Sequence, residues 1–193
     1  MAQTSTSILS SKSHKSDVTG TDISFEASGS VYKITSTSTA LNNFAVRDLI
    51  SVTGTSSNNK SFTVKTVTDA NELIVEEIAT TENADGSTEY RLDHVGFVSD
   101  KQKGDGYYSK PDGVHTVSYK VDATMNIEAT LKMQGSLATT PTEDDWFDVS
   151  STTPTLDQST TIFSYNFTGN FVWVRAKVQG VTAGSVENIL LNS

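Results

Sequence analysis

Residues 161–178 read TIFSYNFTGNFVWVRAKV, and the period-two pattern on either side of Gly169-Asn170 predicts extended strands. Gly169-Asn170 is a Gly-first pair of the kind used by type II′ turns, so the expected structure is a hairpin. Its register would set Thr168 opposite Phe171, Phe167 opposite Val172, Tyr165 opposite Val174 and Phe163 opposite Ala176. Successive side chains alternate across a strand, which puts Phe163, Tyr165 and Phe167 on one core face with Val172, Val174, Ala176 and Val178. The opposite face collects Ser164, Asn166, Phe171, Trp173, Arg175 and Lys177, a mixture that marks either an interface or the cover of a second layer.

The rest of the chain has the same character. Of its 193 residues, 35% are hydrophobic and 19% charged, with Ser, Thr, Asn and Gly filling much of the remainder, a profile of sheet and turn. A formal net charge of −9 presents a repulsive average field to DNA or RNA, so nucleic acid is not an expected partner. No run approaches the ~20 apolar residues of a membrane helix, and the start lacks an apolar signal-peptide core, so synthesis in a cytoplasm without membrane association is expected. Cysteine is absent, which removes disulfides, thiolate metal sites and cysteine nucleophiles.

Residues 1–20 are mostly polar, rich in Ser and Thr, and carry a single short apolar pair, Ile8-Leu9. They read as a flexible leader or as an arm that orders only against a neighbouring subunit, anchored by those two residues. Residues 21–99 break into short runs at 22–27, 31–35, 48–53, 61–68, 72–78 and 89–98, separated by Gly, Asn, Asp and Ser clusters, as in a small β-barrel or sandwich. Residues 100–113, DKQKGDGYYSKPDG, read as a linker because of Gly104, Gly106, Gly113 and Pro111, with Tyr107 and Tyr108 packing on a neighbouring domain. From 114 to 193 the alternation is cleaner. Val117, Tyr119 and Val121 form one strand, and Met125, Ile127, Ala129, Leu131 and Met133 line one face of another at 125–133. A strand at 186–191 completes an antiparallel, jelly-roll-like β-sandwich.

The run Phe44-Ala45-Val46-Arg47-Asp48-Leu49-Ile50-Ser51-Val52-Thr53-Gly54, followed by Asn58-Asn59, Phe62-Thr63-Val64 and Leu73-Ile74-Val75, resembles a module of tailed-bacteriophage structural proteins. The chain departs from that pattern at Arg47, where a glycine usually precedes the Asp. A second resemblance to phage-particle modules covers most of 115–193. It rests on Leu131, Ser136 and Leu137, on Trp146, Phe147 and Asp148, on Phe167, Gly169, Phe171, Trp173, Val174, Arg175, Ala176 and Val178, and on Gly184, Val186, Ile189 and Leu191. Similar modules occur in decoration, neck, fibre and baseplate proteins. The resemblance implies a structural role in the virion and carries no catalytic residue.

Glu143, Asp144, Asp145 and Asp148 concentrate carboxylates, but they lack the alternating spacing and central glycine of an EF-hand loop. A calcium site is the minor reading. The major one is a short turn capped by Thr142, with Trp146 and Phe147 as its apolar plug. His14, His94 and His115 are scattered, and no G-x-S-x-G elbow occurs. Neither catalysis nor a cofactor is therefore expected. Trp173 and Arg175, two residues apart on one strand face, point to a stacked pair, and Phe171, Trp173, Arg175 and Lys177, with Ile8 and Leu9, are the expected protein-contact residues. The expected partners are copies of the chain and other virion proteins. The alternative is a receptor-binding module that holds host-surface glycan on Trp173.

Overall fold

The computed structural model describes residues 5–108, 113–126 and 128–192. Strands β1 (Thr6–Leu9), β2 (Lys12–Ser13), β3 (Val18–Gly20), β4 (Ile23–Ser28) and β5 (Val31–Ser36) open the chain. They are followed by β6 (Asp48–Thr53), β7 (Ser61–Val67), β8 (Glu72–Val75), β9 (Tyr90–Val98) and β10 (Gln102–Lys103). The remainder are β11 (Val114–Val121), β12 (Thr130–Ser136), β13 (Phe147–Asp148), β14 (Ile162–Thr168), β15 (Trp173–Gln179) and β16 (Ser185–Asn192). Among the described residues the only helical segments are the 3-10 turns Asp105–Tyr108 and Glu143–Asp145, so the protein is all-β as its composition requires.

Two compact units form, and their boundaries differ from the expected ones. One is Lys15–Gly96; the other combines the residues up to His14 with those from Phe97 onward. In Lys15–Gly96 the strands follow the order β9-β6-β7-β8-β5-β4, with β3 added on β9. Phe25, Ile34, Phe44, Ile50, Phe62, Leu73 and Leu92 fill its core. Side-chain oxygens take over where ladders end. The Asp22 carboxylate accepts backbone N–H groups from Thr37, Ser38 and Thr39, and the buried Asn58 amide donates to Thr80 O at 3.0 Å and Glu82 at 2.9 Å. Arg47 has φ 72°, the left-handed conformation suited to glycine. Hydrogen bonds hold the turn around it: its own N–H to Val64 O, and Asp48 N–H to Ala45 O.

In the C-terminal unit one sheet has the order β1-β16-β11-β14, with β2 also on β16, and the other contains β13-β12-β15, with β10 on β15. Val117, Tyr119, Ile189 and Leu191 from the first sheet share a core with Leu131, Met133, Val174 and Ala176 from the second. The expected hairpin at Gly169-Asn170 is absent. Strand β14 pairs with β11, setting Phe167 opposite His115, Tyr165 opposite Val117 and Phe163 opposite Tyr119. Strand β15 pairs with β12, setting Val174 opposite Gly135 and Ala176 opposite Met133. Residues 169–172 therefore cross between sheets. Phe171 causes the crossing: its ring enters the core 6.1 Å from Phe167 and 6.0 Å from Phe147, in space that Gly135 and Gly169 leave open.

Three other expectations are corrected. Residues 1–20 are not a free arm, because β1 pairs antiparallel with β16 of its own chain and a register break between Ser7 and Leu9 turns both Ile8 (3% exposed) and Leu9 (5%) into the core; residues 1–4 lie outside the described residues. The 125–133 strand is shorter, running only over β12. Asp122 and Asn126 draw the preceding residues into turns through Met125 N–H to Asp122 O and Ala129 N–H to Asn126 O. Met125, Ala129, Leu131 and Met133 are nonetheless buried as the alternation required, while Ile127 lies outside the described residues. The 100–113 linker is instead partly built into the sheet. β10 pairs with β15, and Gly104 and Gly106 lie so close to the chain at 170–171 that an added Cβ would fall 2.5 and 2.8 Å from a carbonyl oxygen. Their glycines permit close approach; Pro111 lies outside the described residues.

Candidate interaction surface

Alternation along β15 points Trp173, Arg175 and Lys177 away from the core that Val174, Ala176 and Val178 fill. The segment at 139–148 folds back over this outward face. Its 3-10 turn Glu143–Asp145 is fixed at the start by Asp145, whose carboxylate accepts the Thr142 N–H at 2.7 Å and the Thr142 hydroxyl at 2.8 Å. Those bonds hold the Asp145 carboxyl below the ordinary aspartate range.

The capped turn presents Glu143 to Arg175. Arg175 Nη1 and Nη2 donate to the two carboxylate oxygens of Glu143 at 2.5 and 2.8 Å, and Nε donates to Gln134 Oε1 at 3.0 Å. The guanidinium also lies 4.2 Å from the Trp146 ring centroid. A planar fork satisfied on both edges and stacked on an indole tolerates burial, and Arg175 is only 5% exposed. The stacked aromatic is thus Trp146 from the loop, which corrects the expected pairing with Trp173. Beside it, burial opposes the charge of Asp148, but hydrogen bonds from Lys132 and Gln134 outweigh that and keep its carboxyl below the usual range. Burial pulls the Lys177 ammonium below its ordinary value; Glu143 opposes this, while Arg175 and Lys132 add to it.

Trp173 is half-buried. Its Nε1–H donates to Thr139 O at 3.0 Å, Lys101 Nζ lies 4.7 Å from its ring and Tyr107 meets it edge-on at 5.2 Å. Lys101 and Tyr107 thus occupy part of the indole surface on which sugar stacking was considered from the sequence. Of the expected contact residues, Ile8, Leu9, Phe171 and Arg175 are buried by their own unit, leaving Trp173 and Lys177 half-exposed. The expectation that all of them form a contact surface is corrected accordingly, since core packing and ion pairing already use four.

The acidic cluster disperses in the same way. Glu143 binds Arg175, Asp145 caps its own turn, Asp148 pairs with Lys132 at 2.6 Å, and Asp144 is exposed. Among the described residues, no three His, Cys, Asp or Glu side chains converge as metal ligands. Sequence reasoning missed Gln134, because nothing in an alternating strand says which outward polar residue will meet an arginine. It also missed Lys101 and Lys103, whose ammoniums sit against Trp173 and, at 4.1 Å, against Tyr107. No protein-family model and no curated protein matches the chain.

Proposed function

We propose that the chain is a non-enzymatic structural component of a tailed-phage particle, in which a barrel-like unit and a jelly-roll-like unit bind copies of the chain and neighbouring capsid, neck or tail proteins. The resemblances carried by the motifs between 44 and 75 and by most of 115–193 support this reading. The observation that carries it is the use made of the outward face of β15. The residues there with the most chemistry, Arg175, Glu143, Gln134 and Trp146, are spent on clamping a loop to a sheet. Such clamps give rigid surfaces suited to repeated contacts, and particle proteins occupy symmetric positions in which copies meet. Mass spectrometry of gradient-purified particles tests the reading. The chain is expected at a fixed ratio to known particle proteins, and its exclusion from mature particles while abundant in the lysate overturns the proposal.

A further inference from the structure

At one rim of the C-terminal unit, residues of β1 and β16 face β10 and the Asp105–Tyr108 turn across a cavity of about 270 Å³, lined by Thr6, Gln102, Lys103, Tyr108 and Leu191. Four of these five side chains carry a hydrogen-bonding group, so the cavity suits a polar occupant. Lys103 supplies its charge. The ammonium lies 4.1 Å from the Tyr107 ring centroid and 5.9 Å from that of Tyr108, and makes no ion pair with a carboxylate among the described residues. Aromatic rings position a cation without neutralising it. Asp105, the nearest acid along the chain, turns instead to the buried His115, 3.6 Å away.

We propose that this cavity binds a sugar acid, one pyranose ring bearing a carboxylate. Lys103 takes the carboxylate, Gln102 and Thr6 serve ring hydroxyls, and the exposed Tyr108 ring covers the sugar's apolar face. The volume falls below the ~300–1,000 Å³ of drug-sized sites, which selects one ring over an oligomer filling. A neutral sugar would cover the ammonium without giving it a counter-charge. Among the described lining residues a phosphate dianion would find one lysine and no arginine fork, in a chain whose net charge of −9 repels a second negative charge more than a first. The site is independent of the particle role, because it requires only the C-terminal unit.

An NMR titration of the full chain at low ionic strength with glucuronate, glucose and inorganic phosphate tests the assignment. Glucuronate is expected to shift the amides of residues 6, 102, 103 and 191 saturably, with glucose and phosphate about tenfold weaker or worse. Lys103→Ala should weaken glucuronate about tenfold, and Tyr108→Ala should weaken it too, while Lys103→Arg keeps most of the affinity. Lys103 and Tyr108 are exposed, so the variants are expected to retain the wild-type spectrum elsewhere. Equal response to glucose, tighter binding of phosphate, indifference to Lys103→Ala, or no saturation by ~50 mM glucuronate would each overturn the proposal. The titration reads the isolated chain, so its failure is distinct from absence of the chain from particles.

Discussion

With its guanidinium held by Gln134 and Glu143 and stacked on Trp146, Arg175 joins β12, β15 and the loop at 139–148. Arg175→Ala leaves Glu143 and Gln134 without their donor and should cost about 2–4 kcal/mol in urea denaturation. Arg175→Lys should recover little, since an ammonium cannot serve both acceptors as a planar fork does. Glu143→Gln combined with Arg175→Ala should cost less than the sum of the two single changes, because both remove one interaction. Several aspartates set the acid limit. The Thr39 hydroxyl, with further donors at Ser38, holds Asp22 well below its ordinary 3.8; Thr88 does the same for Asp85, and the Thr160 and Ser159 N–H groups lower Asp157 to about 2. Their folded-state values lie below the unfolded ones, so their stabilisation is fully present above about pH 4 and lost as pH falls toward 2. Urea midpoints should therefore be level from about pH 7 to 5 and drop below about pH 4, and Asp22→Asn should lower the midpoint at neutral pH and make the acid drop shallower. A midpoint insensitive to acid would contradict the turn geometry.

Alternation in the sequence located strands and their buried faces far better than their partners. β6 is found at the expected 48–53, and Phe163, Tyr165 and Phe167 point into a core as read, as do Val174, Ala176 and Val178. Period two states which face is inside but not which strand lies alongside, so the same pattern fitted a hairpin and a crossing between sheets equally well. What separates them is the ring of Phe171 and the two glycines that admit it, a contact between distant residues. At Gly135 an added methyl would lie 2.6 Å from that ring. Gly135→Ala is thus expected to destabilise by about 1–3 kcal/mol, and Phe171→Leu in the same chain to restore part of the loss. Full additivity of the two changes in thermal denaturation would place the ring elsewhere. The N-terminal strand was illegible for a related reason. Two apolar residues among many Ser and Thr give no period, and only the register break against β16 turns both inward.

At the scale of the molecule, the unit from Phe97 onward is incomplete without residues 6–13, because β1 and β2 extend its sheet and Ile8 and Leu9 enter its core. Burial of those two side chains contributes at most about 3–6 kcal/mol. Deleting residues 1–14 should accordingly melt this unit at lower temperature and leave residues 15–96, which hold their own core, folded. Amide exchange that reports equal protection in the truncated chain would show the strand to be dispensable. The candidate surface was legible only in part: the sequence named Trp173 and Arg175, while the partners that define their roles, Trp146, Glu143, Lys101 and Tyr107, come from loops whose paths no local pattern records. The proposed structural role in a phage particle is tested most directly by cryo-electron microscopy of purified particles from the genome that encodes the chain. Symmetrically repeated density that accepts both β units, with copies of the chain in contact with each other or with neighbouring particle proteins, is the predicted result; a particle whose ordered density is wholly accounted for by other chains would contradict it.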